Sequence, residues 1–130
     1  MAAIALFLLA AASVRAEGAA APIEPVQFNR DIRPILSEHC FTCHGPDARK
    51  RQAGLRLDLE TGARNELESG ARAVVPGKPD ASELLARILA TEPTEQMPPP
   101  ETGKALSQEQ IDLIRRWIAE GAVWDGHWSL

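Results

Sequence analysis

The chain shows a helical repeat of apolar positions, which recurs in three stretches. In the first stretch, residues 28–40, apolar side chains return at spacings of three and four, which is typical of an amphipathic helix. These side chains are Phe28, Ile32, Ile35 and Leu36. Pro34 interrupts the pattern, and proline is tolerated only in the first helical turn because it has no backbone N–H. The helix is therefore predicted either to begin near Arg33 or to bend there.

Two further helices open on capping sequences. Residues 80–83, Asp-Ala-Ser-Glu, have the spacing of a capping box and predict a helix that continues through Ala90. Residues 107–110, Ser-Gln-Glu-Gln, form a second capping box and open the strongest amphipathic pattern of the chain, which Gly121 ends. The apolar stripe of this last helix comprises Ile111, Ile114, Trp117 and Ile118.

The segments between these helices are irregular. Residues 55–59 alternate apolar and polar side chains, which favours a short extended piece, but five residues alone do not form a stable sheet. Residues 91–103 contain four prolines and are predicted to form a loop.

The first sixteen residues have the pattern of a secretory signal. An apolar run covers residues 2–12, and Val14-Arg15-Ala16 fits the small-residue rule for cleavage. The run is too short to span a bilayer; no Lys or Arg precedes it, and an uncleaved membrane anchor is the competing interpretation. Residues 1–16 are therefore predicted to direct export to the periplasm, and residues 17–26, rich in Ala, Pro and Gly, to form a flexible linker.

The strongest chemical signal is the segment Cys40-Phe41-Thr42-Cys43-His44. This C-x-x-C-H sequence is the attachment signature of a c-type haem. Two thiols three residues apart on a helical turn lie on one face, so both can reach the vinyl groups along one haem edge. The ring of His44 can then bind the iron from the same side. Cys40 and Cys43 are thus predicted to form thioethers, and His44 to be the proximal iron ligand.

Three other interpretations of the cysteine pair remain open. A redox dithiol usually begins a helix within a strand–helix–strand pattern, which this sequence does not show. Tetrahedral zinc requires four ligands, and outside the motif the chain offers only His39 and His127. A structural disulfide is the third. Export favours the haem, because covalent haem attachment takes place outside the cytoplasm.

Met97 is the candidate for the second axial ligand. Such haem proteins place Met or His opposite the proximal His, and Met raises the reduction potential. Met97 is the only methionine after residue 1, and three prolines follow it, which leaves its loop little entropy to lose. A lone methionine is often a packing residue, which is the competing interpretation. His39 is expected to be a core or surface residue, and His127 reaches the distal face only if the tail folds back.

Other polar side chains give weaker signals. Arg56 and Arg87 suit haem propionates, since a guanidinium pairs with carboxylate oxygens, but each is more simply explained as a solvated charge. Trp117 is expected in the core, with an indole N–H that can meet a propionate. Asp58 has no evident partner, and Glu83 is explained as a cap residue, so neither indicates acid–base catalysis.

The length and charge of the chain limit its partners. Its 130 residues fit one small domain, and a large cofactor is one way to complete so small a core. The formal charge of −4 provides no basic footprint for a nucleic acid. An acidic surface favours redox partner proteins that are basic, through electrostatic steering.

With these residues in order, the region from about Phe28 to Trp128 resembles the cytochrome c domain found in large planctomycete proteins. The matching segments are Phe28–Leu36, Cys40–Gly45, Gly54–Asp58, Val75–Pro79, Ser82–Leu84, Met97–Pro99, Trp117–Ile118 and Gly121–Trp124. The resemblance implies a small all-α cytochrome c fold, with three to five helices wrapped around one covalently attached haem. It also implies Cys40 and Cys43 as attachment residues, His44 as the proximal ligand and Met97 as the distal ligand.

The sequence thus predicts an exported mono-haem c-type cytochrome with its domain at residues 27–123. Such a protein carries one electron at a time and acts on no small-molecule substrate, so it is a carrier and not an enzyme. Two alternatives stay open: a haem-bearing electron-entry module of a larger oxidoreductase, or a haem-free zinc or disulfide module. Residues 124–130 resemble the start of a downstream region, and Trp124 and Trp128 are expected to be exposed there.

Overall fold

The computed structural model describes residues 2, 3, 5, 10, 11 and 24–125. The five α-helices in this part of the chain are α1 Arg33–His39, α2 Phe41–His44, α3 Glu60–Arg64, α4 Glu83–Leu89 and α5 Gln108–Ala119. A π-helical turn, Phe28–Ile32, precedes α1, and short 3-10 turns occupy Pro79–Ala81 and Pro100–Thr102. The described residues form no β-strand, and a single antiparallel bridge joins Glu66 to Arg72. The prediction of an all-α chain is therefore confirmed for these residues.

Pro34 lies where the helical geometry of the first segment changes. The helix α1 begins at Arg33, so Pro34 occupies its second position, where no backbone donor is needed. The residues before it form the π-helical turn, in which Phe28 and Ile32 are buried. Of the two predicted arrangements, the one in which the helix begins near Arg33 is confirmed.

The longest helix, α5, has both ends where the sequence predicts them. The Ser107 hydroxyl accepts from the Gln110 N–H at 3.2 Å, and the Gln110 side chain accepts from the Ser107 N–H at 2.9 Å, which completes the capping box. The helix ends at Ala119, and Gly121 follows with a φ of +107°, which glycine adopts without strain.

The start of α4 differs from the prediction. Its N-cap is Ser82, and Asp80 lies in the preceding 3-10 turn. The buried Ser82 hydroxyl does not cap the helix, because it donates to the Lys78 carbonyl and accepts from the Val75 N–H, both at 2.9 Å. The predicted capping box at residues 80–83 is therefore wrong: the serine closes the turn before the helix instead.

The core lies where the amino-terminal turn, α1, α4 and α5 pack together. At its centre is Trp117, which is 1% exposed and donates its indole N–H to the Val123 carbonyl at 2.9 Å. The other large side chains that are fully buried are Ile32, Leu36, Leu57, Val74, Ile114 and Ile118. Leu57 belongs to the alternating segment 55–59, which forms no strand but buries this one side chain beneath the helices.

Both ends of the packed region extend further than predicted. Val26, at the end of the predicted linker, is buried, and its N–H donates to the Glu120 carboxylate at 2.8 Å. Trp124 is half-buried and stacks on Phe28, so the expectation that it is exposed is wrong. Trp128 and His127 lie outside the described residues.

The predicted signal sequence, residues 1–16, lies outside the described residues except for five positions, and so do residues 17–23 of the predicted linker. Within the described part of the chain, none of the helices is both long and apolar enough to cross a membrane.

Candidate functional site

One cavity of about 710 Å³ brings together the four side chains predicted to hold a haem. Cys40, Cys43 and His44 line it, and so does Met97 from a distant part of the chain. Its volume falls within the range of about 300–1,000 Å³ that is typical of ligand sites. Most of the remaining wall is apolar, and includes Leu55, Leu57, Ala73, Leu84, Ile88, Pro98 and Pro99.

The C-x-x-C-H segment forms a helical turn directly after α1. The Cys40 N–H donates to the Leu36 carbonyl at 2.8 Å, and the His44 N–H donates to the Cys40 carbonyl at 2.8 Å. The helices α1 and α2 therefore meet at Cys40 without an intervening loop. This is the turn that the spacing predicted, and it places both thiols and the His44 ring on the wall of the same cavity.

A returning loop holds this turn in place. The Gln52 N–H donates to the Cys43 carbonyl at 2.8 Å, and the Leu57 N–H donates to the His44 carbonyl at 2.7 Å. Carbonyls at the end of a helix have no partner within the helix, so these two bonds satisfy groups that would otherwise be free. The backbone of Cys43 and His44 is thus fixed by contacts to residues 52–57.

The Cys40 thiol is set in an environment that disfavours thiolate chemistry. Burial raises the pKa of the Cys40 thiol to about 12, and the neighbouring Cys43 adds to the shift. Redox dithiols and zinc sites both use thiolates, which require a lowered pKa. A thioether sulfur has no ionised form, so an apolar wall suits it. Both cysteines are free, without a disulfide between them.

A zinc site also finds too few ligands in the described residues. Among residues 24–125 no three His, Cys, Asp or Glu side chains are grouped as a metal site requires. The cavity therefore fits the haem prediction better than the zinc interpretation of the cysteine pair.

The imidazole of His44 is prepared to act as a neutral ligand. Burial lowers the pKa of His44, and the nearby backbone of Gln52 and Leu55 opposes that shift without cancelling it. Neutral imidazole is the form that binds metals. The ring nitrogen Nδ1 is buried and has no hydrogen-bond partner within the usual distance.

Met97 lies in the loop that joins α4 to α5, as predicted. Its N–H donates to the Arg87 carbonyl at 3.0 Å, which fixes this part of the loop to the last turn of α4. The Arg87 guanidinium pairs with Glu83 at 2.9 Å and donates to the Glu95 carbonyl at 3.4 Å. Met97 itself is half-buried, and the thioether is therefore available on the cavity wall.

Several weaker predictions about polar groups need correction. Asp58 has a partner, because Arg56 donates to both of its oxygens, at 3.0 and 2.6 Å, and this hydrogen bonding lowers the pKa of Asp58. Glu83 pairs with Arg87 instead of completing a cap. Arg87 lines the cavity and Arg56 does not. The Trp117 indole is committed to the Val123 carbonyl and does not reach toward a propionate.

Among the polar residues of the cavity wall that were not predicted as site residues, two contact each other. His39 and Lys104 both line the cavity, and His39 Nδ1 lies 2.7 Å from the Lys104 carbonyl oxygen. The His39 side chain is 7% exposed, although the residue as a whole is half-buried. The partners are 65 residues apart in sequence, and no local pattern of the chain indicates such a contact.

Comparison with known families supports the interpretation of the cavity as a haem site. Residues 40–101 match the family described as planctomycete cytochrome C. This range runs from Cys40, the first cysteine of the C-x-x-C-H turn (the attachment turn), past Met97. Neither the curated proteins nor the solved structures give a significant match. A cytochrome c domain implies a role in binding haem c, with its iron, and in electron transfer, and not that of a conventional enzyme. The resemblance seen in the sequence is confirmed: the chain is similar to the planctomycete cytochrome C family over residues 40–101.

Proposed function

We propose that this chain is an exported mono-haem c-type cytochrome that carries one electron at a time between partner proteins. Cys40 and Cys43 hold the haem through thioethers, and His44 and Met97 ligate its iron. The observation that supports this most directly is the meeting of two thiols, an imidazole and a thioether on the wall of one apolar cavity. Bound there, the haem supplies an iron that cycles between two oxidation states.

The residues around the cavity prepare it for this role. The apolar side chains Leu57, Leu84 and Ile88 exclude water, and a low-dielectric surrounding disfavours the more highly charged oxidised iron. A thioether ligand acts in the same direction and raises the reduction potential. Burial lowers the pKa of His44, which favours the neutral imidazole that binds metals, and the Leu57 N–H holds the backbone carbonyl of His44.

The partners follow from charge and compartment. The chain carries a formal charge of −4, and haem propionates add to it. Redox partners with a basic surface are therefore favoured, because complementary charge speeds the encounter of two proteins. Export to the periplasm provides the compartment in which such a haem is attached.

The test is a visible absorption spectrum of protein exported in a host that attaches haem. We expect sharp c-type bands in the reduced protein, and a haem that remains bound through acid–acetone extraction. Replacement of both Cys40 and Cys43 by Ala should release the haem into the solvent. The matched control is Ser37→Ala on the exposed face of α1, which should retain the covalent haem. A colourless wild-type protein, or one that contains zinc and no iron, would refute the proposal.

A further inference from the structure

We propose that His39 is a positioning residue that holds the Met97 loop closed, an inference that rests on the proposed ligation of iron by Met97. The His39 ring, at the end of α1, contacts the carbonyl of Lys104 in the loop between α4 and α5, with 2.7 Å between Nδ1 and the oxygen. This hydrogen bond, called the clasp below, joins the segment that carries the attachment cysteines to the segment that carries Met97.

The clasp defines which ring nitrogen of His39 donates a hydrogen bond. A carbonyl oxygen only accepts hydrogen bonds, so Nδ1 of His39 carries the proton and donates it. In the neutral ring Nε2 is then an acceptor, and it is buried without a hydrogen-bond partner. Its nearest carboxylate, that of Glu38, is 3.8 Å away, beyond hydrogen-bonding distance. A buried nitrogen without a hydrogen-bond partner lowers the stability of the fold, so Nε2 does not stabilise it. The hydrogen bond made by Nδ1 is the stabilising interaction that an apolar residue at position 39 would lack.

The chain between the clasp and Met97 is stiff enough to transmit a displacement. Three prolines follow Met97, and the 3-10 turn Pro100–Thr102 comes next. The Thr102 hydroxyl donates to the Pro99 carbonyl at 2.7 Å and accepts from the Lys104 N–H at 3.3 Å. We therefore expect a movement of Lys104 to displace Met97 as well.

The loop has a second attachment on the other side of Met97. The Met97 N–H donates to the Arg87 carbonyl at 3.0 Å, which fixes the loop to α4. With both attachments present, Met97 lies between two fixed points. Without the clasp the loop keeps its attachment to α4 but loses the one to α1, so a thioether bound to iron would dissociate more often and an external ligand could take its place.

Three variants of the holoprotein distinguish the contribution of Nδ1 of His39 from that of Nε2. His39→Asn places an amide N–H close to the position of Nδ1, and His39→Gln places one close to that of Nε2. His39→Leu removes both. The readout is the rate at which the ferric holoprotein binds cyanide, because cyanide must displace Met97 from the iron.

We expect His39→Leu to bind cyanide about fivefold faster than wild type, which corresponds to the loss of one hydrogen bond of about 1 kcal/mol. His39→Asn should return the rate to within about twofold of wild type, and His39→Gln should behave as Leu does. Equal rates for wild type and His39→Leu would overturn the proposal. So would rescue by Gln and not by Asn, since Nε2 would then be the acting nitrogen.

A control separates the clasp from a general loss of stability. Trp124→Ala removes a core contact and does not line the cavity, so its cyanide rate should match that of wild type. A rate as high as that of His39→Leu would overturn the clasp. Failure of the proposed function is recognised separately: a wild-type spectrum without a thioether-ligated ferric haem refutes the role of Met97 before any variant is compared.

Discussion

The rings of Phe28 and Trp124 stack with their centroids 4.0 Å apart and their planes inclined by 28°. Trp117 contacts both, at centroid distances of 5.5 Å from Phe28 and 5.6 Å from Trp124. Beside the stack, the Asn29 N–H donates to the Asp125 carboxylate at 2.9 Å. These contacts join the beginning and the end of the packed region, on a part of the core that does not line the cavity.

The stack predicts that Trp124→Ala destabilises the protein. The substitution removes a half-buried indole and uncovers the Phe28 ring, which should lower the free energy of unfolding by about 2 kcal/mol. Denaturant unfolding of the holoprotein measures this change. The neighbouring variant Val123→Ala is the control: that side chain is 60% exposed, and its loss should change the free energy by less than about 0.5 kcal/mol. Equal midpoints for the two variants would contradict a packed Trp124.

The pair of Arg56 and Asp58 predicts a pH-dependent contribution to stability. Hydrogen bonds from Arg56 lower the pKa of Asp58 in the folded protein, against the opposing effect of burial. A carboxyl group whose folded pKa is lowered stabilises the fold above its unfolded value of about 3.9, and that contribution is lost as the pH falls through the folded pKa. At pH 7, Asp58→Asn should therefore cost about 1 kcal/mol in the free energy of unfolding.

The sign of this effect is checked by following stability as a function of pH. The difference between wild type and Asp58→Asn should shrink below pH 4, because the unfolded chain takes up a proton there while the folded carboxyl is still ionised, and it should vanish once the pH has fallen through the folded pKa. Asp80→Asn, at an exposed carboxylate, is the matched control and should follow the wild-type curve throughout. A difference that is constant across the range would show that the charge of Asp58 has no part in it.

Features that depend on neighbouring residues were predicted well from the sequence. The attachment turn and the capping box of α5 each need only groups three or four residues apart, so their partners are visible in the chain itself. The capping box at residues 80–83 has the same local spacing but failed. There the hydroxyl of Ser82 meets Val75 and Lys78, and this turn competes with the cap for the same residues.

Features that depend on distant residues could not be read from the sequence. Trp124 was expected in an exposed tail because its partner, Phe28, lies at the other end of the domain. The contact of His39 with Lys104 is of the same kind. The position of Met97 on the cavity wall is the exception. The proline-rich loop around it and the rarity of methionine in the chain already marked it as a candidate ligand in the sequence.

The close packing of α3 predicts an unusual result for Gly62→Ala. In a helix this change normally stabilises a protein by up to about 1 kcal/mol. Here the added Cβ would collide with the Arg56 carbonyl, and that backbone is held because the next residue, Leu57, donates to His44. We therefore expect a loss of about 1–3 kcal/mol in the free energy of unfolding.

Thermal or denaturant unfolding distinguishes these opposite signs. Thr61→Ala, at the adjacent exposed position of α3, is the control and should change the free energy of unfolding by less than about 0.5 kcal/mol. A stabilised Gly62→Ala protein would show that the loop at residues 52–57 yields easily, and that it does not hold the attachment turn rigidly.

Ligation by Met97 predicts linked changes in potential and in ligand access. Met97→Ala should lower the reduction potential by on the order of 100 mV, a fraction of the range of about 0.8 V that axial ligands span, and should let carbon monoxide bind the ferrous protein. Met97→His should also lower the potential but keep carbon monoxide out, because a second imidazole fills the vacated position. Glu95→Gln, at an exposed side chain of the same loop, is the control and should match wild type in both measurements. If Met97→Ala kept the wild-type potential and excluded carbon monoxide, the thioether would be a packing group, and the iron would take its second ligand from elsewhere in the chain.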